Sequence, residues 1–264
     1  MASLHIIAGA LPRPAHPAIR KIGVTDLRAA LASGIDDFLA MPSHTVFVGL
    51  IYPIVGFMLG GAALGHNVLP LLFPLAAGFA LVGPIAAVGL YEMSRRREMG
   101  LRVSWRDAFG VLRSPSIGAI AGLGVLLMLI FLAWLASAQA IYESLFGDMP
   151  PASISQFVHD VLTTKSGHGL IAIGCGIGFL FAVVVLTISA ISFPLLLDAD
   201  VGAAVAMLTS VRVVAANPAT MALWGLIVAA LLVIGSLPFF VGLAIVVPIL
   251  GHATWHLYRR AVKI

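Results

Sequence analysis

Long apolar runs alternate with short polar segments along most of this chain of 264 residues. A membrane-crossing helix needs about 20 mostly apolar residues. Six runs reach or approach that length, so the pattern predicts an all-α, polytopic membrane protein with six transmembrane helices. Their approximate bounds are Thr45–Leu64, Leu69–Tyr91, Ile117–Ala136, Leu170–Leu196, Ala219–Ile234 and Phe239–His256.

The connections between these runs differ greatly in length. Residues 66–67 separate the first two runs and residues 236–238 the last two, so each pair is predicted to form an antiparallel helical hairpin. The connection between the third and fourth runs is about 30 residues long. It contains three acidic residues, Glu143, Asp148 and Asp160, and a single base, Lys165. We expect this acidic connection to lie on the periplasmic side, because loops poor in Lys and Arg are typical of that side.

Amphipathic stretches precede the first, third and fifth spans, and each ends in a proline followed by a small residue. A proline can occupy the first turn of the next helix without losing a hydrogen bond. The pattern predicts three repeats of an interfacial amphipathic helix and a helical hairpin, at about residues 25–100, 101–197 and 198–264. Residues 1–21 are predicted to be a flexible cytoplasmic tail before a membrane domain of residues 22–264. The corner dipeptides are Pro42-Ser43, Pro115-Ser116 and Pro218-Ala219, and the expected N-caps are Asp26, Ser104 and Asp200.

The second helix of each predicted hairpin carries a proline followed by polar positions. Superposing Pro84, Pro194 and Pro248 puts Asp198 and His252 at one level, and Glu92 and His256 one turn further on. We therefore expect a polar cluster of four residues near the cytoplasmic face, consisting of Glu92, Asp198, His252 and His256.

Charge supports this topology and indicates how the chain is oriented. Only 10% of the residues are charged and 61% are hydrophobic, whereas ordinary soluble domains are about a quarter charged. Fourteen of the 15 Lys and Arg residues would lie on one side of a six-span protein. The positive-inside rule then predicts a bacterial inner-membrane protein with both termini in the cytoplasm. The bases flank spans, so we expect no nucleic-acid partner, and we expect anionic lipid headgroups to bind Arg95, Arg96, Arg97, Arg259 and Arg260.

His252 and His256 form the sharpest candidate site. Imidazoles four residues apart share one helix face, where they can hold a metal ion or a haem with a further ligand such as Asp198 or Glu92. The alternative is an interfacial cluster, because Trp255 and neighbouring aromatic rings favour headgroup depth. Asp198 has two open roles, one in proton transfer and one as a partner for Arg212 or a histidine. Beyond this site the sequence predicts no cofactor and no catalytic residues.

The stretch from Phe193 to Arg260 carries the most distinctive sequence, FPLLLDADVGAAVAMLTSVRVVAANPATMALWG followed by PILGHATWHLYRR. It resembles an uncharacterised bacterial family of integral membrane proteins, a domain of unknown function whose members are often labelled cytochrome c oxidase subunit I-like. The resemblance extends over most of the chain after about Val24. It implies six spans in a bacterial inner membrane and no established activity. Haem–copper chemistry does not transfer, because His252 and His256 lie together in one span.

Three functional hypotheses remain open from the sequence. The first is a non-enzymatic accessory, assembly or scaffold component of a membrane complex, with a respiratory complex or a homo-oligomer as the assembly. The second is a small transporter or channel for a hydrophobic or lipid-like substrate, because internal repeats and prolines within spans are features of transporters. The third is a metal- or haem-binding membrane protein that uses His252 and His256. An enzyme is not predicted, since no phosphate-binding loop or catalytic triad spacing occurs.

Overall fold

The computed structural model describes residues 17–41, 70–148, 151, 153–237 and 241–264. These residues are mostly helical, which confirms the predicted all-α class in outline. A nine-residue 3-10 helix covers Trp105–Arg113, and two-residue strands β1 (Ala18–Ile19) and β2 (Val262–Lys263) pair antiparallel. The α-helices are α1 Val24–Ala40, α2 Leu72–Ala86, α3 Val88–Glu98, α4 Ile117–Phe146, α5 Ile154–Thr163, α6 Lys165–Ser189, α7 Ser192–Asp198, α8 Ala203–Ala216, α9 Pro218–Ser236 and α10 Leu243–Ala261.

Among the described residues, three helical segments are long and apolar enough to cross a membrane. They are Ile117–Phe146, Lys165–Asp198 and Pro218–Ser236, with mean hydropathies of 2.6, 2.7 and 2.1. They correspond to the third, fourth and fifth predicted spans. The first predicted span, Thr45–Leu64, lies outside the described residues, as does the corner Pro42-Ser43.

Two of the three candidate spans extend further than the apolar runs that predict them. Helix α4 continues ten residues beyond Ala136, because no helix-breaking residue occurs before Gly147, which has a positive φ of 79° and is suited to end a helix. Helix α6 begins at Lys165 because Thr164 caps it, accepting a hydrogen bond from the Gly167 N–H at 3.0 Å.

Prolines lie near the places where the second and fourth predicted spans differ from single helices, and a proline also lies within the sixth. The second predicted span is divided at Ala87 into α2 and α3, one turn beyond Pro84. A turn at residues 190–191 separates α6 from α7, because Pro194 cannot donate a hydrogen bond to the Ala190 carbonyl. Pro248 lies within α10, whose last third is rich in polar residues.

All three predicted amphipathic stretches that precede spans contain a helix, but two of the expected N-caps are wrong. Ser104 caps the 3-10 helix as predicted. Asp26 instead lies in the first turn of α1, where its carboxylate accepts from the Gly23 N–H at 2.9 Å. Asp200 does not cap α8, because that helix begins after Gly202. The Asp200 carboxylate instead accepts a hydrogen bond from the Ser116 hydroxyl at 3.3 Å.

The chain forms two compact units, of which the first takes residues from all three predicted repeats and the second from the first two. The first contains the described residues within Met1–Ile51, Gly83–Val125 and Leu186–Ile264. In it, α10 packs chiefly on α1 and also on α3, α7 and α9. Asn217, at the corner between α8 and α9, accepts from the Ile22 N–H at 2.9 Å, so the residues around β1 are held against this unit. The end of the predicted flexible tail thus takes part in the fold.

The second unit contains the described residues within Tyr52–Val82 and Leu126–Val185. Trp134 of α4 is buried there and donates its indole N–H to the Pro74 carbonyl at 2.9 Å. Its ring packs beside Phe181 with a centroid separation of 5.8 Å and against Gly178, where only a small residue leaves room for the ring. Trp134 therefore joins α2, α4 and α6 within this unit.

Candidate functional site

The two histidines of α10 lie on its inner face, as their spacing predicts. His252 is fully buried, and the His256 side chain is about one-fifth exposed. Both face a carboxylate from another helix, that of Asp37 near the end of α1. The His256 Nε2 atom lies 2.9 Å from Asp37 Oδ2, and His252 Nδ1 lies 3.9 Å from the same oxygen.

Helix α3 completes this site with a serine and an arginine. Ser94 Oγ donates to Asp37 Oδ2 at 2.5 Å and lies 2.8 Å from His252 Nδ1. The Arg97 guanidinium donates to the other carboxylate oxygen, Oδ1. We name these five residues, Asp37, Ser94, Arg97, His252 and His256, the Asp37 cluster. It joins α1, α3 and α10 through one carboxylate.

A close crossing of α1 and α10 places Asp37 beside the histidines. A Cβ atom on Gly34 would lie 2.7 Å from the backbone nitrogen of Ala253 and 2.8 Å from the carbonyl oxygen of Ile249. Only glycine permits this approach without a shift of one helix. Asp37 follows Gly34 by one turn and His256 follows Ala253 by one turn, and the close approach of the two helices leaves their side chains within hydrogen-bonding distance.

The protons of the Asp37 cluster follow from the donors available. The Ser94 hydroxyl has one proton, and it goes to the carboxylate, which only accepts when ionised. His252 therefore carries hydrogen on Nδ1 to complete its bond to Ser94 Oγ, an assignment made from the hydrogen-bond pattern. Burial raises the pKa of Asp37, but hydrogen bonds from His256, Ser94 and Arg97 outweigh it and hold that pKa below its ordinary value. The carboxylate is thus ionised and paired with Arg97.

The order of groups in the Asp37 cluster differs from that of a catalytic triad. In a triad a histidine lies between the nucleophile and the carboxylate, so that it can remove the nucleophile's proton. Here Ser94 lies between Asp37 and His252, and Ser94 is only 1% exposed. A substrate cannot reach the hydroxyl, so the geometry fits a buried hydrogen-bond network that joins helices rather than acyl transfer.

A second group of polar side chains lies at the end of α10. Tyr258 donates to Asp198 Oδ2 at 2.8 Å, and Arg259 donates to the same oxygen at 3.1 Å. Arg259 also donates to Glu98 Oε1 at 3.0 Å, while the Trp255 indole N–H donates to Glu98 Oε2 at 3.0 Å. The aromatic and basic residues expected to mark a membrane surface are thus also bonded to carboxylates of α3 and α7.

A third group holds the 3-10 helix against α3. Glu92 is buried and accepts from Arg95 at 2.8 Å and from Arg96 at 2.7 Å. Arg96 also donates to Asp107 at 2.6 Å. Hydrogen bonds from Ser104, with a smaller contribution from the charge of Arg96, lower the pKa of Asp107 despite partial desolvation.

The structure distributes the predicted polar cluster over these three groups. Glu92 pairs with arginines of its own helix, Asp198 with Tyr258 and Arg259, and the two histidines with Asp37. The basic residues predicted as lipid anchors form ion pairs within the chain. Their partners are Glu92 for Arg95, Glu92 and Asp107 for Arg96, Asp37 for Arg97, Glu98 and Asp198 for Arg259, and Asp26 for Arg260.

The central residue, Asp37, was missed by sequence reasoning. Its signal was present in α1, where Leu27, Ala30, Gly34 and Asp37 follow one another at spacings of three and four residues and are all buried. A carboxylate that continues an apolar and small-residue stripe is predicted to be buried with it. Ser94 and Arg97 could be recognised as its partners only after the position of the Asp37 carboxylate in the fold was known.

The metal and haem hypothesis for His252 and His256 stays a prediction. Within the described parts of the chain, no group of three His, Cys, Asp or Glu side chains is arranged to hold a metal ion. The observed contacts include hydrogen bonds between His252 Nδ1 and Ser94 and between His256 Nε2 and Asp37.

Comparison with known proteins finds a family match over part of the chain and no activity. Residues 72–198, from the start of α2 to the end of α7, match the family described as "Predicted integral membrane protein (DUF2189)". This confirms the expected resemblance to an uncharacterised membrane family, over a shorter stretch than expected and without support for the oxidase label. No curated protein and no solved structure matches the chain.

Proposed function

We propose that this chain, whose residues 72–198 match a family of predicted integral membrane proteins, is a non-enzymatic scaffold or accessory component of a membrane assembly. The observation that carries the proposal is the outward apolar surface of α6. Phe179 and Leu180 are 67% and 61% exposed, and Val183 and Val184 are also exposed. Lipid can cover such a surface, and so can the helix of another subunit.

The same helix has room for a close neighbour. Among the described residues outside this stretch of α6, no atom lies within 4 Å of the position that a Cβ would take on Gly176. Small residues on a transmembrane helix allow another helix to approach closely and gain van der Waals contact. The buried charges of the first unit, by contrast, are paired, which fits a structural rather than a catalytic role.

Photo-crosslinking tests this role. A photoreactive amino acid at Phe179 is expected to give a discrete product with a partner protein or a second copy of the chain when membranes are irradiated. The same group at Arg28, an exposed residue of α1, serves as the control. Products with lipid alone at Phe179, from a protein that behaves as a monomer in mild detergent, would contradict the scaffold role.

The proposal includes the full topology of six spans in a bacterial inner membrane, with both termini cytoplasmic. The candidate spans α4, α6–α7 and α9 and the one-sided distribution of bases support it. The test uses a Cys175→Ser background with one new thiol at Met99 or Val158. Val158→Cys is expected to react with an impermeant maleimide in intact cells, and Met99→Cys only after lysis; the reverse pattern would exclude this orientation.

A cavity in the second unit favours a second candidate, the binding or transport of a hydrophobic or lipid-like molecule. The cavity has a volume of about 440 Å³, within the usual range of small-molecule sites of roughly 300–1,000 Å³. Helices α2, α4, α5 and α6 supply its walls. The lining is mostly apolar and includes Phe73, Trp134, Ile141, Phe157, Val161 and Leu170.

Cys175 lies in the wall of this cavity and is the chain's single cysteine, so it can carry a reporter without other changes. A polarity-sensitive dye on Cys175 is expected to shift its emission saturably when a long-chain fatty acid is added. Gly174→Leu, which fills part of the cavity, should weaken the response, and Gly122→Leu on α4 is the matched control. An unchanged emission across the whole titration would remove this candidate.

A further inference from the structure

The segment before α4 exposes large apolar side chains beside arginines. On the 3-10 helix, Trp105 is 43% exposed, Phe109 55% and Leu112 67%. Arg102, Arg106 and Arg113 are exposed on the same segment. We name these six residues the arginine–aromatic surface. Three neighbouring side chains of this size are costly to leave in water, so the surface fits contact with an apolar phase.

The arginines of this surface lack carboxylate partners among the described residues. The guanidinium carbon of Arg106 lies 5.5 Å from the centre of the Trp105 ring, a cation–π contact that keeps its charge exposed. The single carboxylate of residues 101–113, Asp107, already accepts from the Ser104 N–H at 2.7 Å and from Arg96 at 2.6 Å. Among the residues that the structure describes, no carboxylate therefore pairs with the three positive charges of this surface.

The neighbouring arginines of α3, in contrast, form ion pairs. Arg95, Arg96 and Arg97 form ion pairs with Glu92, Asp107 and Asp37. The sequence alone assigns lipid contact to these three arginines, because they form the densest basic run. Within the described parts of the chain, the arginines without a carboxylate partner on this segment are instead those beside exposed aromatic rings.

The position of the surface relates it to a bilayer. Arg113 precedes α4 by only four residues, and α4 is a candidate span of 30 residues. A basic segment with aromatic and aliphatic side chains lies at headgroup depth when a span begins beside it. Guanidinium groups bind phosphate oxygens with two parallel hydrogen bonds, which favours anionic phospholipid.

We propose that the arginine–aromatic surface is a binding site for anionic phospholipid headgroups at the membrane surface. Trp105, Phe109 and Leu112 insert at the acyl boundary, and Arg102, Arg106 and Arg113 bind the phosphates. This site does not depend on the scaffold role, since it concerns the lipid that surrounds the chain.

The test measures which lipid gathers at this surface in vesicles that contain the full chain. A fluorophore is attached at Leu101→Cys, next to Arg102, in the Cys175→Ser background. Nitroxide-labelled phosphatidylglycerol or phosphatidylcholine, matched in amount and label depth, then quenches it. We expect about twofold or greater quenching by the anionic lipid over the zwitterionic lipid, and a smaller preference at high salt.

The variant Arg102→Gln/Arg106→Gln/Arg113→Gln is expected to abolish the preference. Arg28→Gln/Arg212→Gln/Lys263→Gln removes the same charge from exposed sites elsewhere and should retain it. Equal quenching by the two lipids at the surface that retains its three arginines would overturn the proposal. That measurement does not depend on whether the arginine variants fold. A preference that survives the first triple change would overturn it as well, because another surface would then attract the lipid.

Discussion

At the scale of single residues, one buried carboxylate organises the first unit. Asp37 accepts hydrogen bonds from Ser94 and Arg97 and contacts His256. Removing one partner of a buried ion pair is strongly destabilising, because it leaves an uncompensated charge or donor in the interior. The histidines of α10 thus gain a physical role without a bound metal.

The neighbouring residues Asp36 and Asp37 provide a matched pair for testing this role. Asp37→Ala is expected to destabilise the protein by about 3–5 kcal/mol, because it leaves Arg97 and Ser94 without their acceptor. Asp36 is exposed, so Asp36→Ala should change stability by less than about 0.5 kcal/mol. Thermal unfolding in mild detergent measures both, and equal effects would show that Asp37 is not the centre of the cluster.

Acid should weaken the same contacts. The pKa of Asp37 in the folded protein lies below its ordinary value of 3.8, so its ionisation contributes stability above that value, and this contribution is lost as the pH falls through the lowered pKa. The melting temperature is therefore expected to fall steeply below about pH 4. Asp37→Asn should flatten this part of the profile, whereas Asp36→Asn should leave it unchanged. Identical acid profiles for Asp37→Asn and the unmutated chain would rule out this linkage.

At the scale of the helices, small residues decide which faces meet. Gly34 allows α1 to approach the backbone of α10, and Gly251 of α10 leaves room for Leu90 of α3. The sequence indicates α1 as an amphipathic helix but does not show which helix it meets. That information depends on a crossing between residues more than 200 positions apart.

A pair of glycine substitutions separates this packing effect from helix propensity. Alanine is about 1 kcal/mol better than glycine inside a helix. Gly34→Ala is nevertheless expected to destabilise by about 1–3 kcal/mol, because its methyl group would meet the backbone of Ala253. Gly122→Ala on α4, where no described atom lies nearby, should be neutral or stabilising. Thermal melts that rank the two variants in the opposite order would exclude a tight crossing at Gly34.

The hydrophobic pattern predicted the three candidate spans found among the described residues, whereas it predicted the helix ends less well. Ser104 and Pro218 mark helix starts as predicted, because capping and proline geometry are local. Gly202 caps α8 where Asp200 was expected, with a φ of 77° that suits glycine. The partners of Glu92, Asp198 and the two histidines could not be predicted. Superposing the three prolines gives the level of each polar residue along its helix, but it does not show which neighbouring helix the side chain contacts.

At the scale of the whole molecule, the described chain contains two kinds of region. The first unit joins α1, α3, α7 and α10 through paired charges, and the second has an apolar cavity and exposed aliphatic side chains on α6. Neither shows an accessible catalytic group among the residues described above. This distribution underlies the proposal of a membrane scaffold, with a hydrophobic-ligand site as the second candidate.

The mass of the protein in its native lipid environment tests the scaffold role most directly. The full chain is extracted from its membrane with a lipid-retaining polymer, without detergent, and weighed by native mass spectrometry. We predict a discrete assembly, either with a stoichiometric partner or of several copies of the 27.5 kDa chain. Particles that contain only one copy and lipid, across preparations and expression levels, would contradict the account.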